Sequence, residues 1–252
     1  KFYNTEEHMT GLFRCISTEV ILRCSEYISL EQVFNGDPAM ANKRLVSAIT
    51  ACQMWKDLFL KQAESIRRQY KAGKYSRNWD VDTVSLFAQV DAFVQRCRDL
   101  QEVCEGQVQF SRRDNVPESE IRSGEPTEFP AFGGAHGPET LKGLQDIEAN
   151  FQKQVAILAS LDYNILDVKK TEFHEDFANF KKNLKDLEVM FKNQCSSAFD
   201  EVPNVQQSCD LLESFVSLAR REQITISVTQ KTGLVFEMFK NEVQELSRMF
   251  ER

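Results

Sequence analysis

The chain has 252 residues, enough for one large domain or two ordinary ones, and its 42% hydrophobic and 27% charged residues are globular values. A net charge of −7 provides no overall field for holding nucleic acid or an anionic membrane. Ten glycines and six prolines are few, which with much Leu, Phe, Lys, Glu and Gln predicts long helices.

The pattern opens with a helix from Tyr3 to Ile28, carrying Met9, Phe13, Ile16, Val20, Cys24 and Tyr27 in steps of three and four. Asn4 or Thr5 is its N-cap. "SLEQVFNGDP" reads as a break. Asp37-Pro38 then reads as an N-cap with proline in the first turn. The helix it starts runs to Ala72, with Leu45, Ile49, Cys52, Trp55, Phe59, Ala63, Ile66 and Tyr70 on one side and Gly73 as its stop. Its length is roughly 50 Å by the helical rise. Asp80 or Asp82 caps a third helix to about Arg112, striped by Val84, Phe87, Val90, Phe93, Val94, Cys97, Leu100, Cys104 and Val108. The polar stretch Asp114–Pro130 has no stripe and reads as a linker.

After Gly137-Pro138 a fourth helix carries Leu144, Ile147, Phe151, Val155, Leu158 and Leu161. The fifth has the clearest repeat: Phe173, Phe177, Phe180, Leu184, Leu187 and Phe191. Such a seam suits long helices packed at shallow angles. A sixth, Pro203 to Arg220, shows Val205, Cys209, Leu212, Val216 and Ala219. A seventh, from about Ile224, shows Val228, Val235, Phe239, Leu246 and Phe250. No stretch alternates with period two. The fold expected is all-α, an elongated array of antiparallel long-helix bundles. Residues 1–112 form a bundle of three long helices, 113–137 a loop, and 138–252 a second bundle of about four helices. The chain begins at Lys1 in mid-pattern and ends in a charged helical stretch, which reads as a fragment of something longer.

Few residues offer chemistry. "FGGAHGPETLKG", Phe132 to Gly143, lacks the lysine and hydroxyl that a phosphate-binding loop places after its last glycine, and no strand precedes it; the glycines read as a hinge. "FHEDF", Phe173 to Phe177, lacks the second histidine of a zinc protease helix. Its Glu175 and Asp176, with Glu172, sit where carboxylates complement a helix dipole. The seven cysteines form no CxxC pair and mostly lie on apolar stripes, which reads as packing by reduced thiols in a cytosolic protein. No catalytic, cofactor-binding or metal-binding residue is identified, no cofactor is expected, and no apolar run is long enough to span a bilayer.

"RRQYKAGKYSRNW", Arg67 to Trp79, is the one stretch with a recognition pattern. Arg67, Arg68, Lys71, Lys74 and Arg77 alternate with Tyr70, Tyr75 and Trp79. The functional reading is contact with an acidic protein partner. The bland reading is that cations collect at a helix C-terminus while the aromatics pack under the turn.

Several ordered motifs carry a family resemblance. Phe87, Val90, Asp91, Phe93, Arg96, Asp99, Leu100 and Glu102 lie along one helix. Tyr163, Asn164, Leu166 and Asp167 follow a glycine-bearing turn and a helix. Then come Phe173, Asp176, Phe177 and Phe180; Leu187 and Glu188; Ala198, Phe199 and Asp200; and Arg221 and Ile224. In this order and spacing the chain resembles the N-terminal tail of dynein heavy chains, and "ISLEQVFNGD" and "CQMWKDLF" resemble the axonemal type. The departures are Asn164, where aspartate is commoner, and the polar "QSCD" at Gln207–Asp210. The resemblance implies a stack of helical bundles that joins heavy chains, carries intermediate and light chains, and anchors the motor through docking proteins or the doublet microtubule. It implies a cytoskeletal location in a ciliary or flagellar axoneme. ATP hydrolysis and microtubule stepping would belong to the motor region, with no catalysis in this segment. The rivals are a spectrin-like or tethering rod, which would show helices of constant length, and an all-α enzyme or cofactor binder, which would show inward-facing polar groups such as paired Glu-x-x-His.

Overall fold

A computed structural model describes residues 5–111, 132, 137–200, 202 and 204–250. Among the described residues the chain is all-α, with eight helices and no strand. They are α1 Glu6–Tyr27, α2 Leu30–Asn35, α3 Pro38–Lys71, α4 Thr83–Ser111, α5 Gly137–Ala159, α6 Phe173–Asp200, α7 Val205–Leu218 and α8 Glu222–Phe250. Of the loop expected at 113–137, only Phe132 and Gly137 are among the described residues, and Gly137 is the first residue of α5; Gly133 and Gly134 lie outside them.

The caps follow local chemistry. The Thr5 hydroxyl accepts the His8 amide at 3.3 Å and Asp37 accepts the Ala39 amide at 2.8 Å, with Pro38 in the first turn of α3. Asp82 is the cap of α4, accepting from Val84 and Ser85. Gly73, at φ 70, lies in the left-handed region just past α3, where lack of a Cβ removes the steric cost. The break expected over "SLEQVFNGDP" is instead interrupted by α2, which Ser29 caps through the Gln32 amide. Six residues are too few for apolar periodicity to show.

The chain divides into two compact units, each made from two stretches of sequence. Unit 1 is Lys1–Cys104 with Leu161–His174; unit 2 is Glu105–Ser160 with Glu175–Arg252. The sequence pattern puts the division in the 113–137 loop. The observed division falls inside α4 and at the start of α6.

In unit 1, α1 and α2 pack on α3. The aromatic core has edge-to-face contacts between Phe13 and Phe59 (4.9 Å) and between Phe59 and Phe87 (5.4 Å). Trp55 joins them and donates its indole N–H to the Ser17 hydroxyl at 3.0 Å. That bond accounts for a buried serine on α1 and centres its inner face on Ser17, Ile21 and Cys24. Tyr27, expected inside, is exposed and has Arg44 above its ring. Tyr70 and Val84 are also exposed.

In unit 2, the seam of α6 is buried as expected, from Phe177 through Phe191, and continues to Cys195 and Ala198. α5 buries Leu144, Ile147, Phe151, Val155 and Leu158. Gly106 lets α4 approach α5: a Cβ there would lie 2.5 Å from the Phe151 ring. The face of α7 differs from the expected one. Ser208, Leu211, Phe215 and Leu218 are buried, whereas Cys209 and Val216 are exposed. Phe215 decides the face, because its ring meets Phe132, Phe191 and Phe199. α8 packs on α7 through Ile224, Val228 and Val235. Beyond them Phe239, Leu246 and Phe250, expected inside, are exposed.

Candidate functional site

The basic stretch ends α3 and begins the connection to α4. Glu64, a turn earlier, accepts from Arg68 Nε at 3.0 Å and lies 4.0 Å from Arg67. The Arg68 hydrogen bond holds its carboxyl below the usual range. Arg67 is also 3.8 Å from Asp80. Lys71 and Lys74 make no ion pair among the described residues, and both are exposed, as is Arg77. All five cations are exposed, and Glu64 and Asp80 engage Arg67 and Arg68.

The aromatics separate into two sets. Tyr70 and Tyr75 are exposed rather than packed under the turn. Trp79 is half-buried and lines a groove of about 470 Å³ with Met9, Phe13, Phe59, Ile66 and Arg67. Sequence reasoning found Trp79 and the cations but not the groove, because its floor comes from α1 and from mid-α3.

Of the residues carrying the family resemblance, Arg96, Asn164 and Asp167 hold backbone. Arg96 is 3% exposed and donates to the carbonyls of Ile165 and Lys170, the latter at 3.1 Å, while its guanidinium stacks 3.9 Å over Phe173. Burial lowers its pKa, and Asp99, Tyr163 and Asp167 act in the opposite direction. The 161–172 connection is shaped locally by Asn164, whose side chain accepts the Leu166 amide, and by Asp167, which accepts the Lys169 amide. An amide oxygen makes this turn as a carboxylate would, so Asn164 keeps the geometry. In unit 2, Arg221 donates to Glu188 at 2.6 Å with both side chains largely buried. Gln109 was not singled out from sequence. It donates to the Leu218 carbonyl at 2.8 Å and accepts from the Arg220 and Arg221 amides, each at 2.7 Å. One side chain therefore satisfies both sides of the α7–α8 turn.

The groups with chemical potential are dispersed or buried. His174, Glu175 and Asp176 lie in the first turn of α6. Among the described residues no three His, Cys, Asp or Glu side chains converge as a metal site, and no helix is long and apolar enough to cross a membrane. Burial raises the Cys97 thiol to about 12 and the Cys195 thiol to about 11. The Cys52 thiol is raised by its hydrogen bond to Cys24 and then by burial. Cys15 and Cys209 are exposed. Iodoacetamide at pH 7.5 is therefore expected to modify Cys15 and Cys209 in the folded protein, with the buried five labelled after denaturation, as read by peptide mass spectrometry. Equal labelling of Cys52 or Cys97 in the native state would contradict this packing.

The family described as dynein heavy chain, N-terminal region 1, matches residues 1–252, the whole chain. The chain belongs to the dynein heavy-chain N-terminal region 1 family. This dynein heavy-chain segment is 40% identical over 251 residues to the dynein-1-beta heavy chain of the flagellar inner arm I1 complex of Chlamydomonas reinhardtii, a match covering 100% of this chain and 5% of that protein. It is 36% identical over 149 residues to dynein axonemal heavy chain 2 of Mus musculus, covering 59% of this chain and 3% of the relative. It is 23% identical over 250 residues to the dynein beta chain of the flagellar outer arm of Chlamydomonas reinhardtii, covering 99% and 5%. The segment therefore spans about a twentieth of the length of the first of these relatives, and the matched region is the N-terminal one, not the motor domain.

Proposed function

We propose that this chain is a structural and assembly segment of an axonemal dynein heavy-chain tail. It contributes to heavy-chain association, to binding of intermediate and light chains, and to anchoring of the motor on axonemal docking proteins or the doublet microtubule. Its place is the cytoskeleton of a cilium or flagellum. Nucleic acid, membrane and cofactor have no part in this reading, and ATP turnover belongs to the rest of the heavy chain.

The observation that carries the proposal is the use made of the polar motif residues. Arg96 and Glu188, both in motifs of the family, engage backbone or a structural cation. They fix helices against one another and present helical faces outward. One such face is the second half of α8, where Phe236, Phe239, Val243, Leu246 and Phe250 are exposed. An exposed row of large apolar side chains along one helix is the kind of surface that another polypeptide covers. The rivals find less support: the helices range from 6 to 34 residues, unlike a constant-length repeat.

The test is a heavy chain lacking residues 1–252, expressed in a flagellated cell in place of the intact chain. Its incorporation into the axoneme and the intermediate chains recovered with it are both expected to fall at least tenfold. Full incorporation with a normal set of subunits would overturn the proposal.

A further inference from the structure

We propose that the groove beside the C-terminal end of α3 docks an acidic segment of a partner polypeptide, anchored by a large apolar side chain. The inference rests on the assembly reading and supplies the chemistry of one of its contacts.

Two independent features meet at this place. The first is shape and polarity. Phe13, Phe59, Ile66 and Trp79 line a groove of about 470 Å³, within the range that encloses a bound group. Leu58 and Leu60 of α3, 54% and 45% exposed, also line it.

The second feature is charge. Between residues 61 and 82 there are six lysines and arginines and three carboxylates, a surplus of three positive charges in a chain whose net charge is −7. Glu6 of α1, which accepts the Asp80 amide at 3.4 Å, leaves a surplus of two at this face. The C-terminal dipole of α3 attracts cations, but its strength is equivalent to about half a negative charge. It offsets a minor part of the surplus. Glu64 and Asp80 engage Arg67 and Arg68, leaving Lys71 and Lys74 beyond them. Tyr70 and Tyr75 stand exposed among these cations. Exposed tyrosine and arginine around an apolar pocket is the composition of a protein interface.

Charge also selects the occupant. A second copy meeting this face across a two-fold axis would bring the same positive surplus against it. A polyanion such as RNA would satisfy the charge but leave the apolar anchor site without a natural guest, while the rest of the chain, at −10 by difference, would repel it. An acidic polypeptide with a Leu, Phe or Trp anchor satisfies both features.

The experiment places the photo-crosslinker benzoylphenylalanine at Leu60 of the full heavy chain, in the assembled axonemal complex, and identifies the crosslinked peptide by mass spectrometry. The proposal expects a peptide of another subunit with net negative charge and a large apolar residue. In the same background Lys71→Glu with Lys74→Glu should reduce that crosslink at least tenfold. Both side chains are exposed and make no ion pair among the described residues, so the reversals leave folding intact. A crosslink to RNA, to a second copy of the chain, to a peptide without acidic character, or no crosslink in a complete complex overturns the proposal. So does an undiminished crosslink after charge reversal. A complete complex without the crosslink would refute the groove and leave the assembly reading standing. A heavy chain that gathers no partner at all would refute both.

Discussion

Replacing Arg96 with alanine is expected to lower the stability of unit 1 by about 3–5 kcal/mol, the scale for removing a buried charged partner from groups that remain buried. The guanidinium donates to two carbonyls of the 161–172 connection and stacks on Phe173. Alanine leaves those carbonyls facing α4 without a donor and leaves a cavity over the ring. Arg96→Lys should recover part of the loss, because an ammonium keeps the charge without the planar fork that reaches both carbonyls. Trp55 and Trp79 are the two tryptophans of the chain and both belong to unit 1, so their fluorescence reports this unit alone. With a urea slope of about 2 kcal/mol/M, the midpoint falls by about 2 M. A shift equivalent to less than about 0.5 kcal/mol would show that Arg96 does not hold the connection.

Gln109→Leu is the corresponding change in unit 2, with an expected loss of about 2–4 kcal/mol from three hydrogen bonds at about 1 kcal/mol each. Leucine keeps much of the volume, so the loss is chiefly polar: the Leu218 carbonyl and the Arg220 and Arg221 amides lose their partner. One orientation of the glutamine amide serves all three. Hydrogen exchange is the suitable readout, because it resolves the turn from the remainder of the unit. The amides of Arg220 and Arg221 and the first turn of α8 should exchange at least tenfold faster. Unchanged exchange there would mean that water or a neighbour replaces the glutamine.

Much of this fold was legible in the sequence where local chemistry decides it. Asp37-Pro38 and Gly73 marked the ends of α3 because a cap and a left-handed residue are strictly local needs. The seam of α6 was legible because it repeats through 28 residues of helix. The face of α7 was not. Leu211 and Leu212 are adjacent, as are Phe215 and Val216, so two faces offset by one residue have nearly equal apolar content. The partner decides between them, and Phe132 and Phe191 lie on the Phe215 side. The outer half of α8 shows the opposite limit, since a stripe such as Phe239, Leu246 and Phe250 reads the same whether or not something covers it.

The two-unit organisation was illegible for a topological reason. Periodicity tells which face of a helix is apolar, not that residues 161–174 return to the unit begun by residues 1–104. Arg96 was visible as a motif residue, but its contacts with Ile165 and Lys170 lie 69 and 74 positions away. The candidate site was half legible for the same reason. Its cations and Trp79 are contiguous in sequence, while Phe13 and Phe59 reach it through the packing of α1 on α3.

The central claim is that this segment holds other polypeptides. The most direct measurement is capture of tagged residues 1–252 from axonemal extract at moderate salt, with quantitative mass spectrometry of what is retained. The account predicts specific retention of dynein intermediate chains, light chains or a second heavy chain, declining as salt rises. A folded segment that retains none of them would contradict it.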